Sequence, residues 1–311
     1  MTHFPVVYHP AYVTPLPAGH RFPMPKFQLL RDLLVGDRVI TQNQLYQPGA
    51  PPREWLELVH EPDYVQAYCQ GTLTAKAQRR IGLPWSEGLV MRTCTAVGGT
   101  ILTAKLALQH GIACNTAGGT HHAFPAYGSG FCIFNDLAVA IKVLQVQGLI
   151  RSALIVDLDV HQGDGTAFIF QGDQSVFTFS MHCDVNFPGR KQQSDLDVPL
   201  AENTSDGEYL KVLRQHLSPL LTRLQPDLVM YDAGVDVHQA DRLGKLALTD
   251  AGIFERDRTV LQTCHTAGIP LACVIGGGYS EDMSALVYRH SLLHRAAKAV
   301  FTQSGEWQNG N

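Results

Sequence analysis

ALIVDLDVHQGDGT, residues Ala153 to Thr166, is the stretch whose reading decides the fold. Ala153 to Val156 form a short, wholly apolar run of the kind a buried strand uses. The pattern then alternates. Asp157, Asp159 and His161 fall on one face and Leu158 and Val160 on the other, with the period of two that extended backbone imposes. Gly163 and Gly165 end the run as turn residues. A core-forming strand has no structural reason to finish in three unpaired ionisable groups. Three groups able to bind metal or carry protons therefore meet at the carboxyl end of a parallel strand, where open α/β sheets place their ligands.

The same alternation of strand and helix continues outward. Ser175 to Ser180, Asp227 to Asp232 and Leu271 to Ile275 read as further strands. Helical patterns cover about Glu87 to Gln109, Asp136 to Gly148, Glu208 to Leu224, Asp250 to Ala267 and Ser280 to Phe301. Phe27, Leu30, Leu33 and Leu34 mark a shorter amphipathic helix, and another starts near Asp63, whereas residues 5–25, rich in proline, read as an extended lead-in. Short apolar strands alternating with helices predict one α/β domain, a mostly parallel sheet flanked by helices on both faces, over residues 1–311 with a loose tail from about 302. No linker, charge block or repeat divides it.

Composition narrows the function classes. The chain of 311 residues is 45% hydrophobic and 17% charged, enough for a large core. A net charge of −4 with no basic run argues against nucleic acid as a partner. No apolar stretch approaches the roughly 20 residues of a membrane span, and the N-terminus lacks a secretion signal. Seven dispersed cysteines without a Cys-x-x-Cys pair suit reduced thiols in a cytoplasmic protein.

The strand-end loops supply the chemistry. Asp159, His161 and Asp236 offer two carboxylates and one imidazole, which balance a dication. Three protein ligands and one open position describe a catalytic zinc, one per chain, although such a donor set also accepts Fe(II) or Co(II). A water on that ion would be acidified for attack on a carbonyl. His121 and His122, in a glycine-bearing loop, suit proton transfer beside it, with Asp157 and Asp164 as orienting acids. Tyr279, after Gly276-Gly277-Gly278, can donate a hydrogen bond to the carbonyl oxygen as it gains charge. His9, His20, His60, His182, His216 and His238 read as surface or satisfied core groups rather than ligands.

GGTHHAF, GFCIFND, VDLDVHQGDG, GVD and GGGY, in this order, resemble the zinc-dependent histone deacetylase superfamily, with its arginase/deacetylase fold, over most of the chain. Asp241-Arg242-Leu243-Gly244 and the compact length are similar to the class IV branch. The resemblance implies that Asp159, His161 and Asp236 hold the zinc. It makes His122 the general base and acid with Asp164 as partner, His121 the electrostatic histidine paired with Asp157, and Tyr279 the group that polarises the amide. It implies that Gly130, Phe131 and Phe187 line a narrow acyl-lysine tunnel, with Gly277 and Gly278 also at the substrate. A structural potassium site would use backbone oxygens of Asp157, Asp159 and His161 with Ser180 and Met181. Arg21 is a candidate for the base of the acyl pocket. Two departures stand out. Gln162 occupies a position where relatives often carry a second histidine, and Ile81 to Glu87 holds no counterpart of the acidic rim residue of many relatives.

The activity expected is removal of an acyl group, acetyl or longer, from lysine side chains. Two alternatives are a deacetylase of acetylpolyamines or other small N-acyl amides, and a catalytically silent acyl-lysine binder. A two-manganese ureohydrolase on the same fold needs a second metal set, which the Asp236 loop does not offer.

Overall fold

A computed structural model of the chain describes residues 4–304. Eight strands form one sheet: β1 (Val6–Val7), β2 (Leu45–Tyr46), β3 (Ile112–Asn115), β4 (Ala153–Asp157), β5 (Val176–Cys183), β6 (Leu196–Leu200), β7 (Leu228–Asp232) and β8 (Leu271–Val274). Their order across the sheet is β2-β1-β3-β8-β7-β4-β5-β6, and every neighbouring pair is parallel. The central strands β3, β4, β7 and β8 are buried at every residue, as expected of a sheet covered by helices on both faces.

The helices follow the apolar patterning. Glu87–His110 starts at Ser86, whose side chain accepts from Leu89 N, and stops at Gly111, which adopts φ 82. That backbone strongly favours glycine, and it turns the chain directly into β3. Asp250–Thr266 starts at Thr249, which accepts from Gly252 N. The last helix, Met283–Ser304, begins three residues later than its apolar pattern suggests and absorbs residues 302–304 of the expected tail. Residues 305–311 lie outside the described residues.

Four strands escape the periodicity reading, each for a physical reason. β1 and β2 are two residues long, too short for any period. β3, IACN, follows a helix cap immediately and carries no β-branched residue but Ile112. β6 holds Pro199, which the ladder tolerates because β6 is the sheet edge. β5 runs three residues beyond the expected Ser180.

The deciding stretch is corrected in one detail. The strand ends at Asp157, not His161, and the chain bends over Asp159 to His161, with Leu158 and Val160 fully buried and the three ionisable groups buried as well. Leu158 N still donates to Asp232 O at 3.1 Å, but Val160 N turns to the side chain of Asp236, at 3.0 Å from Oδ1. A carboxylate thus takes the place of a neighbouring strand where the chain bends. Gly163 then precedes a short helix, Asp164–Phe170, that contains Gly165.

Candidate metal centre and its pocket

β3, β8, β7 and β4 are consecutive in the sheet, and the loops leaving their carboxyl ends converge. The β3 loop brings His121 and His122, and the β8 loop brings Gly276 to Tyr279. The β7 loop brings Asp236, and the β4 loop brings Asp159, His161 and Asp164. Sequence separations of more than a hundred residues collapse here into hydrogen-bond distances.

Asp159, His161 and Asp236 offer ligand atoms within 4.8 Å of one another. His161 Nδ1 lies 3.0 Å from Asp159 Oδ1 and 3.2 Å from Asp236 Oδ2. Asp159 Oδ2 accepts from Gly277 N at 2.8 Å, which fixes that carboxylate, whereas Asp236 Oδ2 is buried without a hydrogen bond. Gly277 is required for this approach, because a Cβ there would sit 2.1 Å from Asp236 Oδ2 and 2.5 Å from Asp159 Oδ2. Burial, then the charge of Asp159, pushes the Asp236 carboxyl up to about 7. Burial opposes charge on His161 as well, but the adjoining carboxylates of Asp159 and Asp236 lift it to about 10. With its imidazole neutral, as a ligand must be, the group places two negative charges between its donors, and this donor set fits a divalent ion.

The two histidines stand beside it. His122 Nδ1 is 2.7 Å from Asp164 Oδ1, His121 Nδ1 is 2.8 Å from Asp157 Oδ2, and the two Nε2 atoms lie 3.2 Å apart. Burial and the neighbouring His121 charge lower His122 to about 4. Burial also works against the His121 cation, but Asp157 and Asp159 overcome it and hold that imidazole well above its ordinary value. One ring is therefore neutral and the other cationic at pH 7.

A pocket of about 430 Å³ descends to this centre, with His122, His161, Gly130, Phe131, Phe187 and Tyr279 among its walls. The Phe187 ring meets His122 edge-on at 4.9 Å between centroids. Burial and the charge of Asp236 hold the Tyr279 hydroxyl well above its ordinary value, so it stays protonated and able to donate. Gly277 lines a smaller inner cavity behind the centre, whereas Gly278 lines neither and accepts from Lys26 Nζ at 3.5 Å.

Arg21 is corrected. It lies at the outer pocket over the Phe131 ring, and the inner cavity is lined instead by Lys26 and Arg92, both buried. Burial lowers Lys26 to about 8. Neither residue carried a sequence signal, because each stands alone in a helical pattern. Gln162 turns away from the centre, donating to Gln192 O at 2.7 Å and Asp197 Oδ1 at 2.8 Å. Asp157 and Ser180, from the expected potassium site, are direct partners across β4 and β5, and the Ser180 hydroxyl is 2.9 Å from His182 Nδ1.

Three further residues were missed. Asp241 accepts from Tyr279 N at 2.7 Å and so fixes the triple-glycine loop. Arg256, fully buried beside Asp257, donates to Leu158 O at 3.2 Å, Ala233 O at 3.2 Å and Gly234 O at 2.6 Å, bracing both metal-side loops. Asp232, at the end of β7, joins His121 and Asp157 in a second cluster of metal-binding type. The Asp236 loop was not expected to offer a second set; Asp232, on the strand end just before it, contributes to one.

Comparison with known proteins agrees over nearly the whole chain. The histone deacetylase domain family matches residues 20–294. An uncharacterized protein of Picosynechococcus sp. is 70% identical over 298 residues, 96% of this chain and 99% of that protein. Acetoin utilization protein AcuC of Staphylococcus aureus is 30% identical over 285 residues, 84% of this chain and 73% of its own length. Histone deacetylase 2 of Arabidopsis thaliana is 29% identical over 277 residues, 86% and 72% of the two chains. The crystal structure of the HDA15 HD domain superposes with a TM-score of 0.80 at 21% identity, over 96% of this chain and 90% of that one, which shows the shared fold.

Proposed function

The chain belongs to the histone deacetylase family, and from that premise we propose that it removes acyl groups from lysine ε-amines using a divalent ion held by Asp159, His161 and Asp236. A hydrolase acting on amide bonds follows from the family; the lysine substrate and the ligand set are our reading. The observation that carries it is one buried Asp-His-Asp group at the floor of a narrow aromatic pocket, with a neutral and a cationic histidine alongside.

When bound, the ion polarises the acyl carbonyl and acidifies water, and zinc is the metal this donor set favours. Phe131 and Phe187 take the aliphatic stem of the lysine and exclude bulk water. His122 accepts the proton of the attacking water at Nε2 and passes it to the departing amine, while Asp164 on Nδ1 holds the ring in that tautomer. His121 stays protonated against Asp157 and stabilises the developing negative charge. The Tyr279 hydroxyl donates to the acyl oxygen from the opposite wall. A potassium ion on the Asp157 to His161 backbone and Ser180 would stiffen the loop from below. Seven free cysteines suit a cytoplasmic location, and no described helix is long and apolar enough to cross a membrane.

The test is hydrolysis of an acetyl-lysine peptide by metal-loaded protein, with and without chelator. Turnover abolished by chelator and restored by zinc upholds the reading. Turnover indifferent to chelator, or none on acetyl- and long-chain acyl-lysine peptides, defeats it.

A further inference from the structure

The mouth of the 430 Å³ pocket is lined by three cationic side chains, Arg21, Arg80 and Lys245, and by no carboxylate. The chain carries a net charge of −4, so this opening inverts the sign of the molecule as a whole. The two arginines are held in place by aromatic faces. The Arg21 guanidinium lies 5.0 Å from the Phe131 ring centroid and that of Arg80 lies 4.4 Å from the Tyr127 centroid. Neither side chain forms an ion pair among the described residues. Their planar donor forks are therefore free for whatever enters, and such forks suit carboxylates. Lys245 contributes less, because Glu202 already pairs with it at 2.8 Å.

We propose that the mouth selects acyl-lysines carrying a carboxylate beside the acylated side chain, bound by Arg21 and Arg80. The inference rests on the lysine deacylase reading and narrows its substrate. Acylated polyamines fit poorly. They retain free ammonium groups that Arg21 and Arg80 repel, and they bring no carboxylate. The rim lies away from the reacting atoms, so the preference acts mainly through KM.

The experiment uses metal-loaded protein and acetyl-lysine peptides identical except for flanking Asp, Ala or Lys, together with free acetyl-lysine and acetylspermidine. The Asp-flanked peptide is expected to exceed the Ala-flanked one by about five-fold in kcat/KM, from two or three exposed charge pairs. The Lys-flanked peptide should fall below both, and free acetyl-lysine reports whether an α-carboxylate serves as well as a side chain. Raising ionic strength to about 0.5 M should compress the series in the wild-type protein, since screening shortens as salt rises. In Arg21→Glu/Arg80→Glu the order should invert. Equal rates for all three flanks overturn the inference and leave the deacylase reading standing, as does acetylspermidine outpacing every peptide while the peptides still turn over. Should nothing be hydrolysed, the deacylase reading falls, and fluorescence anisotropy of the same labelled peptides decides the mouth: tighter binding of the Asp-flanked peptide upholds it, and equal binding overturns it.

Discussion

Two clusters of the same composition lie side by side at the end of this sheet, each with two aspartates and one histidine. Asp159, His161 and Asp236 reach the pocket through His161, whereas Asp232 and Asp157 lie behind it and His121 opens only onto the smaller inner cavity. In the first cluster one imidazole nitrogen faces both carboxylates, so all three donors point at a common centre. In the second, His121 Nδ1 is committed to Asp157 at 2.8 Å and stands 3.9 Å from Asp232, whose two oxygens are buried without hydrogen bonds. Burial and the Asp157 charge push the Asp232 carboxyl well above the usual range, toward its neutral form. Residue type is therefore not what separates a candidate metal site from an orienting pair. Access and the aim of the lone pairs separate them.

The sharpest way to break this comparison is to damage each cluster in turn. Asp236→Asn is expected to lower bound metal from about one per chain to near zero and to abolish turnover, whereas Asp232→Asn should leave metal content intact and stability within about 1 kcal/mol. Elemental analysis of the purified variants reads both, and equal metal loss from the two would erase the distinction. Arg256→Leu comes next. It leaves Asp257 buried without its partner and frees the carbonyls of Leu158, Ala233 and Gly234, for an expected loss of about 3–5 kcal/mol in urea unfolding. A loss below about 1 kcal/mol would show that the loops bearing Asp159 and Asp236 hold themselves in place.

Changes inside the first cluster's own pocket are expected to act on rate alone. His122→Ala should reduce kcat by about 10²–10⁴-fold and Tyr279→Phe by about 10²–10³-fold, with the circular dichroism spectrum unchanged; a Tyr279→Phe enzyme of normal kcat would remove the hydroxyl from the mechanism. The last test involves neither cluster. Burial lowers His60 and His294 to about 4, against an ordinary value near 6.5. The unfolded chain takes up protons there that the folded chain refuses, so this contribution is complete above pH 6.5 and is lost as pH falls toward 4. Two such groups predict a decline of about 2–3 kcal/mol per pH unit between pH 6 and 5 in metal-loaded protein. Denaturation at several pH values measures it, and a flat profile would mean that these imidazoles are not buried neutral.

Much of the first cluster was legible because its residues sit in one run or at strand ends. Asp159 and His161 share the deciding stretch, Asp236 follows β7 by four residues, and the paired histidines announce themselves in a glycine-bearing loop. The inner cavity was not legible, and Arg21 was a candidate for it only through the resemblance to relatives. Lys26 takes that place because the helix Lys26–Gly36 begins there and turns its first residue inward beneath Gly276 and Gly278. Arg92 comes from the second turn of Glu87–His110, where nothing local distinguishes a cation bound for the core from one bound for solvent.

The sequence by itself determined the class of fold, the strand-helix alternation and the chemical inventory of the loops. These are written in patterns of period two and 3.6, in cap residues, and in ionisable groups set where apolar runs end. The tertiary structure alone decided which inventory members meet. The order β3-β8-β7-β4 makes neighbours of strands far apart in the chain, and so brings Gly277 against Asp159, Arg256 under three loop carbonyls and Asp232 behind His121. Local patterning reports which face of an element is buried. It does not report what lies opposite that face, because the partner is set by packing between elements that share no local signal.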